Sequence, residues 1–132
     1  MLRVGWQFTW EQIFSAVLAA GYDDLSRAHI GAFRYPTLDR RRPTELAEQL
    51  QITKQSVNDL LAHLEHSGYV TREPDPTDGR ARIIRLTAKG RRLEKTINAA
   101  AQAAELEVAE LLGPREFSHL RHALEDLVAK LA

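Results

Sequence analysis

Two short helical segments separated by a two-residue break, followed at once by two β-prone runs around a turn, leave this chain few folds to choose from. Leu46, Ala47 and Leu50 put one apolar face on a helix over 44–50. Gln51 and Ile52 form the break, and Thr53 is placed to cap the next helix through its hydroxyl. That helix runs to about 67, with Val57, Leu60, Leu61 and Leu64 on its buried stripe and Gly68 as its left-handed terminal residue. Tyr69-Val70-Thr71-Arg72-Glu73 and Arg82-Ile83-Ile84-Arg85-Leu86 are strand-prone, and Pro74-Asp75-Pro76-Thr77-Asp78-Gly79 between them is a turn, with Gly79 expected at positive φ. Helix, tight turn, helix and hairpin make a winged helix-turn-helix, so the fold class is mainly α with a small β-hairpin.

The flanks are helical. Phe8, Ile13, Phe14, Val17 and Leu18 predict an amphipathic helix over about 6–20, stopped at Gly21. A second short helix is expected over 25–33, ended by Pro36. Thr87 caps a helix reaching Leu112, about 25 residues and about 38 Å at 1.5 Å per residue. A chain of 132 residues does not bury such a helix alone, so part of it is expected to pack on another chain. Gly113-Pro114 breaks it, and a last helix follows over 115–131. The expected division is 1–38 for N-terminal supporting and dimerisation helices, 39–90 for the winged lobe and 91–132 for C-terminal dimerisation helices.

Charge is balanced overall, 18 basic against 18 acidic residues, but unevenly spread. Residues 1–39 carry three basic and four acidic groups, 40–95 carry twelve and eight, and 96–132 carry three and six. The middle segment is therefore the one suited to a polyanion. With no cysteine there is no disulfide framework and no thiolate chemistry. No apolar run reaches membrane-spanning length, and Gln7, Glu11 and Gln12 interrupt the N-terminus where a signal peptide needs an apolar stretch. A cytoplasmic protein without membrane association is expected.

A helix that enters a major groove needs one face held by a core and the other polar and uncluttered. The helix over 53–67 meets that demand, offering Lys54, Gln55, Ser56, Asn58 and Asp59 early on its exposed face. Gln and Asn can pair with adenine through two hydrogen bonds. Lys54 and the amides near Thr53 suit phosphate. Arg80 and Arg82 sit near the hairpin tip, where arginines can reach a narrow minor groove, and Asp78 is close enough in sequence to orient one of them. Arg40, Arg41, Arg42 and Arg72 add phosphate-neutralising charge, and His63 is a further backbone-contact candidate. A surface helix with a charge-protected hairpin edge is the bland alternative.

From Thr44 to Gly90 the chain resembles the MarR (multiple-antibiotic-resistance regulator) family. The carriers are Thr44-Glu45-Leu46-Ala47-Glu48, Thr53-Lys54-Gln55-Ser56-Val57, Leu64-Glu65-His66-Ser67-Gly68-Tyr69-Val70, and Asp75-Pro76-Thr77-Asp78-Gly79-Arg80-Ala81-Arg82 followed by Leu86-Thr87-Ala88-Lys89-Gly90. The resemblance implies a prokaryotic, dimeric transcription regulator on double-stranded DNA, joined through its N- and C-terminal helices. It also implies a small ligand between the dimerisation region and the DNA lobe, major-groove reading by the helix over 53–67 and minor-groove entry by Arg82. The family's redox-sensing branch uses an N-terminal cysteine, which this chain lacks.

Other signals are weaker. His63 with His66, and His119 with His122, stand three residues apart, but no local ligand completes either set, so no metal or cofactor is assigned. Seven aromatic residues fall in the first 35, from Trp6 to Tyr35, and either pack the core or line a cavity for a small apolar or aromatic effector. Neither a phosphate-cradling glycine loop nor a serine elbow is present, so no enzyme is expected. A protein-binding winged helix and a non-specific architectural DNA binder are the alternatives.

Overall fold

The computed structural model describes residues 1–33 and 37–132, so the expected stop at Pro36 lies outside the described residues. Eight elements follow in order: α1 (Leu2–Ala19), α2 (Arg27–Ala32), α3 (Pro43–Leu50), α4 (Lys54–His66), β1 (Val70–Asp75), β2 (Asp78–Leu86), α5 (Ala88–Leu112) and α6 (Pro114–Leu131). Helix α1 starts earlier than its apolar pattern suggests, because a single glycine, Gly5, is tolerated inside a helix at a cost of about 1 kcal/mol. Helix α2 starts later. Ser26 caps it: the Ser26 amide donates to His29 Nδ1 at 3.0 Å, and the His29 amide donates back to Ser26 Oγ at 3.4 Å. This is a capping box with histidine in the usual Glu or Gln place.

The central unit forms as its caps dictate. Pro43 opens α3, and Gln51 closes it in the left-handed region at φ 55°. Thr53 Oγ1 accepts the Ser56 amide at 3.1 Å and opens α4. Val57, Leu61 and Leu64 are fully buried, while Leu60, expected on the same stripe, is half-buried at the edge of a groove. Gly68 takes φ 82°, as a helix-terminal glycine should.

The hairpin is tighter than its six-residue turn signal implies. Strands β1 and β2 pair antiparallel from Val70 opposite Leu86 to Pro74 opposite Arg82; the register then shifts, so that Asp75 meets Asp78 with residues 79–81 bulged out of it, and Pro76 and Thr77 form the connection. One Asp75 carboxylate oxygen accepts both the amide and the hydroxyl of Thr77 at 2.8 Å, a side-chain turn that lets the strands run almost to the tip. Gly79 therefore lies within β2 and is not among the glycines at positive φ, contrary to expectation. The far edge of β2 is also covered: the Arg40 amide donates to the Ile84 carbonyl at 2.7 Å and the Ile84 amide to the Arg41 carbonyl at 2.8 Å.

One core joins these parts. Val17 of α1, Ile30 and Phe33, Leu46 of α3, Leu61 and Leu64 of α4, Ile84 of β2, and Leu93 and Ile97 of α5 all belong to it. Helix α1 lies along α5, and α6 follows α5 after a break at Gly113 and touches it. None of α6's residues is buried.

Candidate nucleic-acid interface

The outer face of α4 carries Lys54, Gln55, Ser56, Asn58 and Asp59, all exposed. Thr53 and Ser56 are committed to the cap, with the Thr53 hydroxyl donating to Ser56 Oγ at 3.0 Å. Gln55 Nε2 donates to Asp59 Oδ1 at 3.0 Å, one turn on. Asn58 accepts through Oδ1 from Arg72 Nη1 at 3.4 Å. Beside this face the hairpin presents Arg80 and Arg82, both exposed and in no ion pair among the described residues. Lys54 is likewise exposed.

The remaining candidates are placed differently. Arg42 is bound to Asp75, with Nε at 2.8 Å and Nη2 at 2.7 Å from Oδ2. Hydrogen bonds from Thr77 and Arg42 hold the Asp75 carboxyl down to about 2. Arg42 is thus a strut between the start of α3 and the wing tip, because a buried carboxylate demands its charge. Asp78 accepts the Arg80 backbone amide at 3.1 Å and so orders the chain, not a guanidinium. Arg72 is tucked against α4, reaching Asn58 and lying 3.9 Å from Glu65. Arg85 faces Asp39 at 3.6 Å and Glu73 at 4.0 Å.

His63 does not face outward. Its Nε2 is 2.8 Å from the Asp24 carbonyl, and its ring stacks on His29 with centroids 4.1 Å apart. The stack joins the segment around α2 to α4. Burial, and then the nearby His63, lower the His29 pKa, while Asp24 opposes them. The neutral ring is therefore favoured in the fold, so this contribution is complete above the ordinary value of 6.5 and is lost as pH falls through the lowered one. Acidification from about pH 7.5 to about 5 is expected to destabilise the chain more than it destabilises His29→Gln. Thermal melts across that range test this, and parallel pH profiles would refute it.

The aromatic residues divide. Phe33 is core, Phe14 lies under the Arg27 guanidinium at 4.4 Å, and Tyr22 tilts against Tyr69. Among the described aromatic residues, Trp6 and Trp10, stacked at 5.7 Å, line an open groove of about 310 Å³ with Arg27, Leu50, Ile52 and Leu60, while Tyr35 lies outside the described residues. Among the described residues no three metal-capable side chains cluster, and no helix is long and apolar enough to cross a membrane.

A core-anchored helix with an exposed polar face, set beside a hairpin carrying two arginines in no ion pair among the described residues, defines a winged helix-turn-helix protein. A model of the MarR family matches residues 24–81 of this chain. The chain is 39% identical over 83 residues to the HTH-type transcriptional repressor Rv2887 of Mycobacterium tuberculosis, covering 61% of this chain and 60% of that protein. The chain thus spans about three fifths of the length of that relative. Among solved structures, the transcriptional repressor CouR bound to a 23-mer DNA duplex matches with a TM-score of 0.70 and 26% identity, covering 98% of this chain and 88% of that one. MarR from Escherichia coli shares the fold at a TM-score of 0.75 and 20% identity, over 96% and 92% of the two chains.

Proposed function

We propose that this chain is a sequence-specific transcription regulator that binds double-stranded DNA as a homodimer and has no turnover of its own. The observation that carries this is the joint exposure of Gln55 and Asn58 on α4 beside the unpaired Arg80 and Arg82 on the hairpin. Helix α4 lies in the major groove and reads base edges, while the wing arginines enter the adjacent minor groove. Lys54 and the amides at the start of α4 take phosphate. The structure of CouR on a DNA duplex supports the reading by fold and by 26% identity.

The exposed apolar surface supports joining two copies through the terminal helices. Leu2, Val4, Leu106, Leu111, Leu120, Leu124 and Leu131 are all exposed on α1, α5 and α6. We take residues 1–38 and 91–132 as dimerisation and support, and 39–90 as the DNA lobe. Two copies then present α4 to grooves about one helical turn apart on a pseudo-palindromic cytoplasmic site. The groove at Trp6 and Trp10 adjoins both regions and suits a small apolar or aromatic effector, which acts only through different affinities for the two arrangements.

Arg82→Ala is expected to cost operator binding about 1–3 kcal/mol, or roughly 5- to 150-fold, with the fold intact. A gel-shift titration with unchanged affinity removes the wing from the mechanism. Equal loss against operator and bulk competitor DNA would mark an architectural binder instead.

A further inference from the structure

Reading adenine with an asparagine needs both ends of its amide: the oxygen accepts from N6 and the nitrogen donates to N7. At Asn58 the oxygen already accepts one hydrogen bond, which sets the way the amide faces. Arg72, on β1 opposite Ile84, reaches α4 and places Nη1 3.4 Å from Asn58 Oδ1 and Nη2 3.5 Å from the Asn58 carbonyl. The same guanidinium lies 3.9 Å from Glu65, seven residues and two turns along the helix. Its Nε is buried and makes no hydrogen bond. Arg72 is thus held along the flank of α4 with two of its nitrogens on Asn58. The Asn58 oxygen is thus held on the Arg72 guanidinium, and among the described residues no hydrogen bond engages Nδ2.

We propose, resting on the DNA-reading role of α4, that Arg72 is a positioning residue that makes Asn58 a donor-only reader, specific for guanine. Guanine offers two adjacent acceptors, N7 and O6, to the two N–H groups of one amide. Adenine would set its own N6 amino group against that donor. Gln55 shows the opposite polarity. One of its two N–H groups donates to Asp59, which turns the nitrogen along the helix and its oxygen towards an exocyclic amino group on adenine or cytosine. The helix then presents an acceptor at Gln55 and, one turn later, a donor at Asn58, each set by a neighbour that need not touch a base.

The test is selection of bound duplexes from a random pool by the purified full-length chain, in parallel with Asn58→Ala, Arg72→Met, Arg72→Lys and Asp59→Ala. Asn58→Ala locates the base pair that Asn58 reads, by flattening its preference. At that pair the wild type is expected to select G·C, and Arg72→Met to shift preference towards A·T by roughly 5-fold or more. Arg72→Lys, which keeps the charge but not the two-pronged contact, is expected to shift it the same way, and answers the question if the methionine variant does not fold. Asp59→Ala should alter a different pair. A wild-type preference for A·T at that pair, or an unchanged base choice in both Arg72 variants, overturns the proposal while leaving DNA reading in place. Uniform weakening on all sequences would reduce Arg72 to a structural brace and overturn it too. A wild-type pool with no motif at all overturns both this proposal and the function it rests on.

Discussion

Gly90→Ala is expected to destabilise the chain by about 3 kcal/mol or more, a large share of the 5–15 kcal/mol that holds a typical domain together. A methyl group there would stand 2.1 Å from the Tyr69 carbonyl oxygen, 3.1 Å from its carbon and 3.2 Å from Leu86 Cδ2. The nearest obstacle is backbone, and that backbone is fixed. The Tyr69 carbonyl accepts from the Thr87 amide at 3.1 Å and the Thr87 hydroxyl at 3.1 Å, and the same hydroxyl caps α5 by accepting the Gly90 amide. The tyrosine is held at its other end too. Its hydroxyl donates to Asp24 at 2.7 Å, and Lys89 lies 4.3 Å above its ring while donating to the Ser67 carbonyl. Relieving the clash means pulling α5 off the base of the hairpin and losing the cap with it. Urea unfolding followed by circular dichroism measures the effect, and wild-type stability within about 0.5 kcal/mol would refute the account. Gly79→Ala is the control: nothing lies within 4 Å of a methyl group there, so it is expected to change little.

Short-range chemistry was legible in the residues. Thr53 and Thr87 cap because a hydroxyl ahead of a helix finds a free amide nearby, and Gly68 takes positive φ because the helix end requires it. Each depends on neighbours within four positions. What escaped is pairing across distance. Arg42 meets Asp75 33 positions away, and His63 meets Asp24 39 positions away. The sequence makes both candidate DNA contacts, because composition shows how many cations a segment holds and not which of them the fold engages. The fold spends Arg42, Arg72 and Arg85 internally and leaves Arg80 and Arg82 in solvent. Gly79 failed for a related reason. The Asp75 side chain closes the turn two residues earlier, so the glycine has no tight turn to make. The Asp75-Pro76-Thr77 run was the available signal for that contact, since an aspartate commonly accepts from the amide two residues on.

Leu120→Asp combined with Leu124→Asp is expected to convert the proposed dimer to monomers and to lower operator affinity by about two orders of magnitude or more. Both leucines lie on α6 one turn apart, 37% and 40% exposed, continued by Leu127 at 42% and by Leu131. Among the described residues this stripe is only partly shielded, and α6 has no buried residue. A partner that does cover it would enclose both new carboxylates without counter-charge, which association cannot absorb. Because the leucines are already solvated within the single chain, the substitutions should leave its own core and the winged lobe intact. The consequence for DNA follows from linkage: with two copies joined, the second half-site is met at high effective concentration, and separated copies lose that gain while each half-site contact survives. Sedimentation equilibrium reads the first effect, and titration on full and half operators reads the second. Wild type should prefer the full operator strongly and the variant should not, whereas Arg82→Ala should weaken both alike. A double variant that stays dimeric, or that keeps the full-operator preference as a monomer, would mean that α6 does not join the two copies.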